Sequence, residues 1–105
     1  MMEVEIIEIL NDNNELLVDC INHWGKDMQL NIVIEEMAEL TKEICKHKRG
    51  GCDLFYVMEE AVDVLIMINQ LYIIADFYPT VFKDLLVTKL DRISNRLLLA
   101  KQESE

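Results

Sequence analysis

The chain has 105 residues, and its 20 acidic against 10 basic residues give a formal net charge of -10. Such a balance argues against binding to nucleic acid, because contact with phosphates requires clustered Lys and Arg, and it favours cations instead. Hydrophobic residues make up 51% of the chain, with three glycines and one proline. This composition is typical of compact helical proteins and not of disordered ones.

The small size predicts a partner subunit. A short chain leaves a large share of its surface uncovered, so its own core is modest. We therefore predict one all-α domain over residues 1–105, an antiparallel helix bundle completed by homo-oligomerisation.

The most apolar region is interrupted by Asp63, Asn69 and Gln70, well short of the ~20 apolar residues of a membrane span. With no charged-then-apolar leader, we expect a cytoplasmic protein without membrane contact.

The first elements are short. Residues 2–10 alternate apolar and acidic side chains for a few positions, which fits a strand, but no partner strand is visible and a helical turn or two is the better prediction. The segment DNN at 12–14 predicts a break and a cap for a helix over Glu15–His23, which ends at Gly25.

Two long helices and a last one follow. The apolar periodicity predicts a helix from about Asp27 to Lys48, stopped by the Gly50–Gly51 pair, where a left-handed backbone is easily adopted. Asp53 is placed to cap a second long helix that runs to about Phe77. Pro79 enforces a boundary and suits the first turn of a last helix that reaches about Lys101.

The three cysteines are predicted to be reduced thiols, because their number is odd and no secretory leader precedes them. A zinc site is the alternative interpretation, with ligands from Cys45, His47 and Cys52, together with Cys20 and His23. Their spacing lacks the paired short gaps of a structural zinc site, so incidental placement is favoured.

Each long helix carries an acid-x-x-acid pair, Glu36 with Glu39 and Glu60 with Asp63. Residues three apart share a helix face, and the short turn makes the two helices antiparallel neighbours. Carboxylates gathered between apolar helices repel one another, and desolvation costs several kcal/mol per unpaired ion. A divalent cation removes this difficulty, because Mg²⁺ prefers a few carboxylates and keeps water and phosphate oxygens as its other ligands. We predict a Mg²⁺ site at these four residues, with Mn²⁺ as a substitute.

Two other interpretations of the acids remain open. A single acid-x-x-acid pair is usually a solvated helix face, although two pairs on successive apolar helices are harder to explain in this way. A di-iron carboxylate bundle also gathers acids between helices, but it uses Glu-x-x-His, and neither His23 nor His47 stands three residues after a Glu.

The motifs EEMAE at 35–39 and EEAVD at 59–63 resemble the EExxE and EExxD motifs of the all-α, MazG-like nucleoside triphosphate pyrophosphohydrolases. The likeness extends to HWGKDMQLNIVIEEMAEL, KHKRG and VDVLIMINQL, spans about residues 22–97, and is to the small single-domain members common in phages and their hosts.

The resemblance implies a function. Glu36, Glu39, Glu60 and Asp63 match the family's catalytic Mg²⁺ ligands, and the implied reaction is hydrolysis of a nucleoside triphosphate to a monophosphate and pyrophosphate. The family assembles as homodimers or homotetramers. One of the four carboxylates, or an outer one such as Glu35 or Glu59, would accept the proton of the attacking water, and the sequence does not choose among them.

Substrate contacts are predicted on two other helices. Lys89, Arg92 and Arg96 form a basic stripe at i, i+3 and i+7 that suits phosphate oxygens, with pairing to surface acids as the alternative. Gln29 stands seven residues before Glu36, on the same helix side, where its amide is placed to read a base edge. Other candidates for base recognition are Asn69, Trp24 and Tyr72.

A function of a different class also fits the sequence, namely a non-enzymatic, acidic helical protein with an interaction or regulatory role. The retention of all four acids favours the enzyme, because a decayed site would be expected to lose at least one.

Overall fold

A computed structural model of the chain describes residues 4–104. These residues form five α-helices and no strand, which confirms the predicted all-α class: α1 Val4–Asp12, α2 Asn14–Trp24, α3 Lys26–Lys48, α4 Leu54–Ala75 and α5 Pro79–Glu103. The chain divides into two compact units, residues 1–75 and residues 76–105. Within residues 4–104, no helix combines the length and hydropathy that crossing a bilayer requires.

The N-terminal segment is helical, as predicted, but the junction after α1 differs from the expected cap. Asn13 occupies the N-cap position of α2, and its side chain makes no capping hydrogen bond there. Its amide Nδ2 instead donates to the carbonyl oxygen of Ile9 at 2.8 Å. The expectation that the DNN segment caps α2 is therefore wrong for Asn13, because an Asn side chain can satisfy the open carbonyls of the preceding helix as well as the open amides of the following one.

Gly25 joins α2 to α3 with a backbone conformation that other residues avoid. Its φ is 90° and its ψ is 156°, a region that is essentially restricted to glycine. Its N–H donates to the carbonyl oxygen of Ile21 at 2.8 Å, and its own carbonyl accepts from the N–H of Gln29 at 3.1 Å. One residue thus ends one helix and begins the next, which fixes the direction change between α2 and α3.

The turn after α3 is a glycine-capped helix end, as the sequence predicts. Gly50 has a φ of 76°, and its N–H donates to the carbonyl of His47 at 2.9 Å. The Gly51 N–H donates to the carbonyl of Lys46 at 2.8 Å. These two bonds form a Schellman motif, which satisfies the last carbonyls of α3 and turns the chain back toward α4.

Side chains brace the same turn. His47 Nδ1 donates to the carbonyl oxygen of Cys52 at 3.0 Å, since a carbonyl can only accept. The Cys52 thiol donates to the backbone oxygen of Glu43 at 3.5 Å, and the Glu43 carboxylate pairs with Lys46 at 3.4 Å. Burial and the Glu43 carboxylate raise the pKa of the Cys52 thiol. The cysteines of the chain are all free, as predicted.

The remaining boundaries follow the predicted signals closely. Asp53 Oδ1 accepts the backbone N–H of Phe55 at 2.9 Å, the capping interaction expected at the start of α4. The helix ends at Ala75, two residues before the predicted Phe77. Pro79 is the first residue of α5, where its missing N–H removes no helical bond.

The core of residues 1–75 lies where α3 packs on α4 and α2 packs on both. Its buried apolar side chains among the described residues are Leu17, Ile21, Val33 and Met67. Helix α4 is apolar on most of its circumference. Within this chain Phe55 is nevertheless 62% exposed and Val62 is 52% exposed.

Helix α5 carries its own apolar face. Its residues at i, i+4, i+8, i+11 and i+15 fall within about 80° of one another on the helical wheel, and each is 45% to 58% exposed: Phe82, Leu86, Leu90, Ile93 and Leu97. A single helix in water draws little stability from backbone propensity, and helices in proteins are stabilised mainly by packing of such a face. The face on α5 is therefore a surface that association would stabilise.

We expect Gly25→Ala to lower the free energy of unfolding by about 1–3 kcal/mol, because alanine would be forced into a glycine-specific backbone region. No atom lies within 4 Å of the added Cβ, so the loss would be conformational and not steric. The measurement is urea unfolding monitored by circular dichroism.

Gly50→Asn is the matched control for this substitution. The position is equally open, and its φ of 76° lies near the left-handed region that Asn tolerates. An equal loss in both variants would contradict the role given to Gly25.

Candidate metal centre

Three acidic side chains from the two long helices meet on one side of the α3–α4 pair. Glu36 of α3 and Glu60 and Asp63 of α4 each offer a carboxylate oxygen, and these atoms all lie within 4.8 Å of one another. Glu36 and Glu60 are partly buried, whereas Asp63 is exposed. The three-residue spacing of Glu60 and Asp63 places both on the side of α4 that faces α3. We call these three residues the acidic cluster.

The fourth predicted ligand, Glu39, lies outside the acidic cluster. Its side chain is exposed, and it is not among the residues whose oxygens converge. Its negative charge nevertheless raises the pKa of both Glu36 and Glu60. The structure thus brings together three of the four predicted carboxylates, with the fourth within electrostatic range.

The electrostatics of Glu36 reflect crowding by like charge. Burial is the largest cause that raises the pKa of its carboxyl group, followed by the negative charges of Asp63, Glu39 and Glu35. A side-chain hydrogen bond with Asp63 raises this pKa further, because a protonated Glu36 can donate to the Asp63 carboxylate. The two groups are therefore placed to share a proton in the absence of a cation.

Glu60 is perturbed in the same direction. Burial again contributes most to its raised pKa, and the charges of Asp63, Glu36, Glu39 and Glu43 add to it. Acidic groups arranged in this way gain free energy from any positive charge that enters between them.

The donor set of the acidic cluster suits a hard divalent cation. Oxygens bound to one Mg²⁺ at ~2.1 Å stand at most ~4.2 Å apart, since opposite ligands are two bond lengths apart. The observed limit of 4.8 Å lies close to this value, and small torsional changes of the carboxylates would close the difference. Three oxygens would leave the other positions of an octahedral ion for water or phosphate.

The alternative zinc set is not assembled. Within residues 4–104, the acidic cluster is the sole group of three or more His, Cys, Asp or Glu side chains whose ligand atoms could meet at one ion. The His47 ring and the Cys52 thiol are instead engaged in hydrogen bonds at the α3–α4 turn. His47 and Cys52, two of the residues that suggested zinc, therefore have a structural explanation.

A cavity of about 420 Å³ lies farther along the same two helices, and no residue of the acidic cluster lines it. Helices α2, α3 and α4 each contribute three residues to its wall: Leu17, Cys20, Trp24, Met28, Gln29, Ile32, Ile66, Met67 and Gln70. Two of the residues predicted to recognise a base, Gln29 and Trp24, line it. The other two, Asn69 and Tyr72, do not.

Gln70 is the residue of this cavity that sequence reasoning missed. It is 3% exposed, as is Gln29, and its Oε1 is buried without a hydrogen-bond partner among the described residues. A sequence signal existed: Gln70 follows Asp63 by seven residues, as Gln29 precedes Glu36 by seven. Seven residues are two helical turns, so each amide lies on the same side of its helix as an acid of the cluster.

The predicted basic stripe exists as a surface of α5. Lys89, Arg92 and Arg96, together with Ile93, line a shallow cavity of about 200 Å³ on that helix. The three cations therefore lie on one side of α5, as their spacing predicts. Their contact with phosphate stays a prediction.

Comparison of the chain with family models, with curated proteins and with solved structures gives no match. The likeness to the pyrophosphohydrolase motifs therefore rests on the sequence motifs of this chain alone.

We expect the metal-free protein to lose stability relative to Glu36→Gln as the pH rises above about 4.5. The folded state holds its Glu36 proton to a higher pH than the unfolded state, since the pKa is raised from 4.5. Stability therefore falls as the pH rises through this range, where the unfolded chain binds fewer protons. Urea unfolding in EDTA from about pH 4 to about pH 8 measures the difference in free energy of unfolding between the parent protein and Glu36→Gln.

Mg²⁺ should reverse this difference at neutral pH, because it binds the ionised cluster of the folded state and not the unfolded chain. Glu15→Gln, at an exposed acid of α2, is the matched control and should follow the parent protein. Identical pH profiles for the parent and Glu36→Gln would count against the cluster.

Proposed function

We propose that this protein hydrolyses a nucleoside triphosphate to a nucleoside monophosphate and pyrophosphate with the help of Mg²⁺. The observation that carries the proposal is the convergence of Glu36, Glu60 and Asp63, from two packed helices, on a space of one ion. The resemblance of the two acidic motifs to those of MazG-like pyrophosphohydrolases supports the same reaction. Glu39, on the margin of the cluster, is proposed as the fourth acid of the site.

The side chains have distinct tasks in this proposal. Bound Mg²⁺ would supply charge neutralisation at phosphate oxygens and a lowered pKa for a coordinated water. Glu36, Glu60 and Asp63 would hold the ion, and the partial burial of Glu36 and Glu60 would orient it toward one side of the α3–α4 pair. An acid that is not engaged with the ion would accept the proton of the attacking water.

Glu39 is one candidate for that proton acceptor, since its side chain is exposed and lies beside the cluster. Glu35 and Glu59 are also exposed and occupy the outer positions of the two motifs. Lys89, Arg92 and Arg96 are proposed to contact phosphate oxygens, because Arg binds such groups in a bidentate manner.

The cavity supports a nucleoside as the rest of the substrate. It lies one to two helical turns from the acidic cluster on both α3 and α4, or about 6–10 Å along the helix axes. A ligand whose phosphates lie at the cluster would therefore direct its sugar and base toward the cavity. Its volume of about 420 Å³ falls within the ~300–1,000 Å³ typical of small-molecule sites.

We also propose that the bundle is completed by a second or further copies of the chain, as a homodimer or homotetramer in the cytoplasm. The apolar side chains left exposed on α4 and the apolar face of α5 support this association. Association would remove these surfaces from water, at ~25 cal/mol for each Å² of apolar area. A non-enzymatic regulatory role would require the same assembly without turnover.

The decisive experiment is a panel of common ribo- and deoxyribonucleoside triphosphates incubated with Mg²⁺ and assayed for pyrophosphate. We expect one or more to be hydrolysed, and Asp63→Asn to reduce turnover by more than about 100-fold while remaining folded, because an inner ligand of the ion is lost. Asp19→Asn, at an exposed acid of α2, is the control and should retain activity. A folded protein that releases no pyrophosphate from any nucleotide would favour the interaction role.

The assembly has its own test. We expect Ile93→Glu to weaken self-association by more than about tenfold, because a carboxylate within an apolar interface pays a desolvation penalty. Asn95→Glu adds the same charge on the opposite side of α5 and should have little effect. Sedimentation equilibrium measures both, and a monomeric parent protein would contradict the proposed assembly.

A further inference from the structure

We infer that the cavity between α2, α3 and α4 binds a flat nitrogen heterocycle, and that Gln70 selects ligands that carry an N–H donor. The inference deepens the proposed function, on which it rests for the identity of the heterocycle as a nucleobase. Gln70 would be a specificity-determining residue, separate from the acids of the cluster.

The first argument is the unsatisfied amide. Gln70 is 3% exposed, and its Oε1 is buried with no hydrogen-bond partner among residues 4–104. Buried polar atoms of folded proteins are almost always hydrogen-bonded, so each exception needs an explanation. Because this oxygen is shielded in the free protein, rotation of the side chain would be needed to turn it toward the cavity. A ligand that then supplies a donor to it would remove a penalty that the free protein carries.

The second argument is the shape and chemistry of the wall. The cavity is lined mainly by apolar side chains, and the amides of Gln29 and Gln70 are its nearly fully buried polar groups. A few fixed polar groups in an apolar wall are the usual arrangement for orienting a small ligand. Trp24 lines the same cavity and is 58% exposed, which leaves its ring open for stacking with a flat heterocycle.

The third argument is the register of the two helices. Gln29 lies two turns before Glu36 on α3, and Gln70 lies two turns after Asp63 on α4. Because α3 and α4 are joined by a short turn and pack against each other, these two directions lead to the same end of the pair. Both amides are therefore on the cavity side of the acidic cluster, at a distance of about 10 Å along the axes.

The Gln70 amide can present either its carbonyl oxygen or its NH₂ group to a ligand. The last torsion of a Gln side chain has broad energy minima, so a half-turn exchanges the oxygen and the NH₂ group. An acceptor and a donor side by side match the edge of a nucleobase, which offers a donor next to an acceptor. Methylation of that edge would remove the donor and leave Gln70 unsatisfied in the complex.

The experiment measures binding without phosphate, metal or turnover. Trp24 is the single tryptophan of the chain, so its fluorescence reports occupancy of the cavity. The full-length protein is titrated in EDTA with uridine, cytidine, adenosine and guanosine, and with 3-methyluridine, N4,N4-dimethylcytidine, N6,N6-dimethyladenosine and 1,N2,N2-trimethylguanosine. We expect at least one parent nucleoside to bind with a dissociation constant of about 1 mM or lower, and its methylated form to bind about tenfold more weakly.

Gln70→Met identifies the residue responsible. It keeps the length and removes the amide, so we expect it to bind a nucleoside and its methylated form with equal affinity. Its ligand-free melting temperature should rise, because a buried group without a partner is removed. Gln102→Met, at an exposed residue of α5, is the control and should keep the tenfold preference.

The outcomes separate the two proposals. Failure of every nucleoside to change Trp24 fluorescence at millimolar concentration, or a preference that survives in Gln70→Met, would overturn this inference while leaving hydrolysis to be judged by the pyrophosphate assay. Nucleoside binding that depends on Gln70, in a protein that releases no pyrophosphate, would support the cavity and overturn the proposed reaction.

Discussion

Repulsion among the carboxylates of Glu36, Glu60 and Asp63 is the main constraint that the packing of α3 on α4 must overcome. The packing of α3 on α4 brings their oxygens within 4.8 Å of one another, and burial, followed by repulsion from the neighbouring acids, raises the pKa of both Glu36 and Glu60. Apolar contacts of the same two helices hold the acids together against this repulsion. Helices α3 and α4 therefore supply both core residues and the acids of the site. A change in the packing of these helices would alter both.

Much of the fold could be read from local signals. The glycine at position 50 and the carboxylate of Asp53 each produce the backbone geometry that their chemistry predicts, and Pro79 begins the last helix. These features depend on a few neighbouring atoms, so the sequence contains all that is needed. The role of Asn13 was misjudged because an amide between two helices can serve either, and the choice depends on the three-dimensional path of the chain.

The candidate site was predictable in part for the same reason. Helical spacing was sufficient to place Glu36, Glu60 and Asp63 on facing sides, but it could not decide that Glu39 stands at the margin, because that depends on the rotation of α3 about its axis. Gln70 was missed because its seven-residue offset from Asp63 indicates a shared helix side but not burial. Its importance comes from burial between three helices, which no single segment reveals. The exposure of apolar side chains on α4 was also not predictable from the sequence. Apolar periodicity shows which side chains of a helix need burial, but not which element buries them.

The two ends of the α3–α4 pair are restrained by different forces. At the turn, the covalent chain, the Schellman bonds and the contacts of His47 and Cys52 fix the spacing of the helices. At the other end, about 29 Å from Lys48 to Gln29 along α3, spacing is maintained by packing against α2. Thermal fluctuations in the distance between the two helices should thus grow with distance from the turn. They should be smaller at the carboxylates of the acidic cluster than at the amides of Gln29 and Gln70. The residence time of a ligand in the cavity would then depend on the packing of α2 against α3 and α4. It would therefore also depend on Gly25, which ends α2.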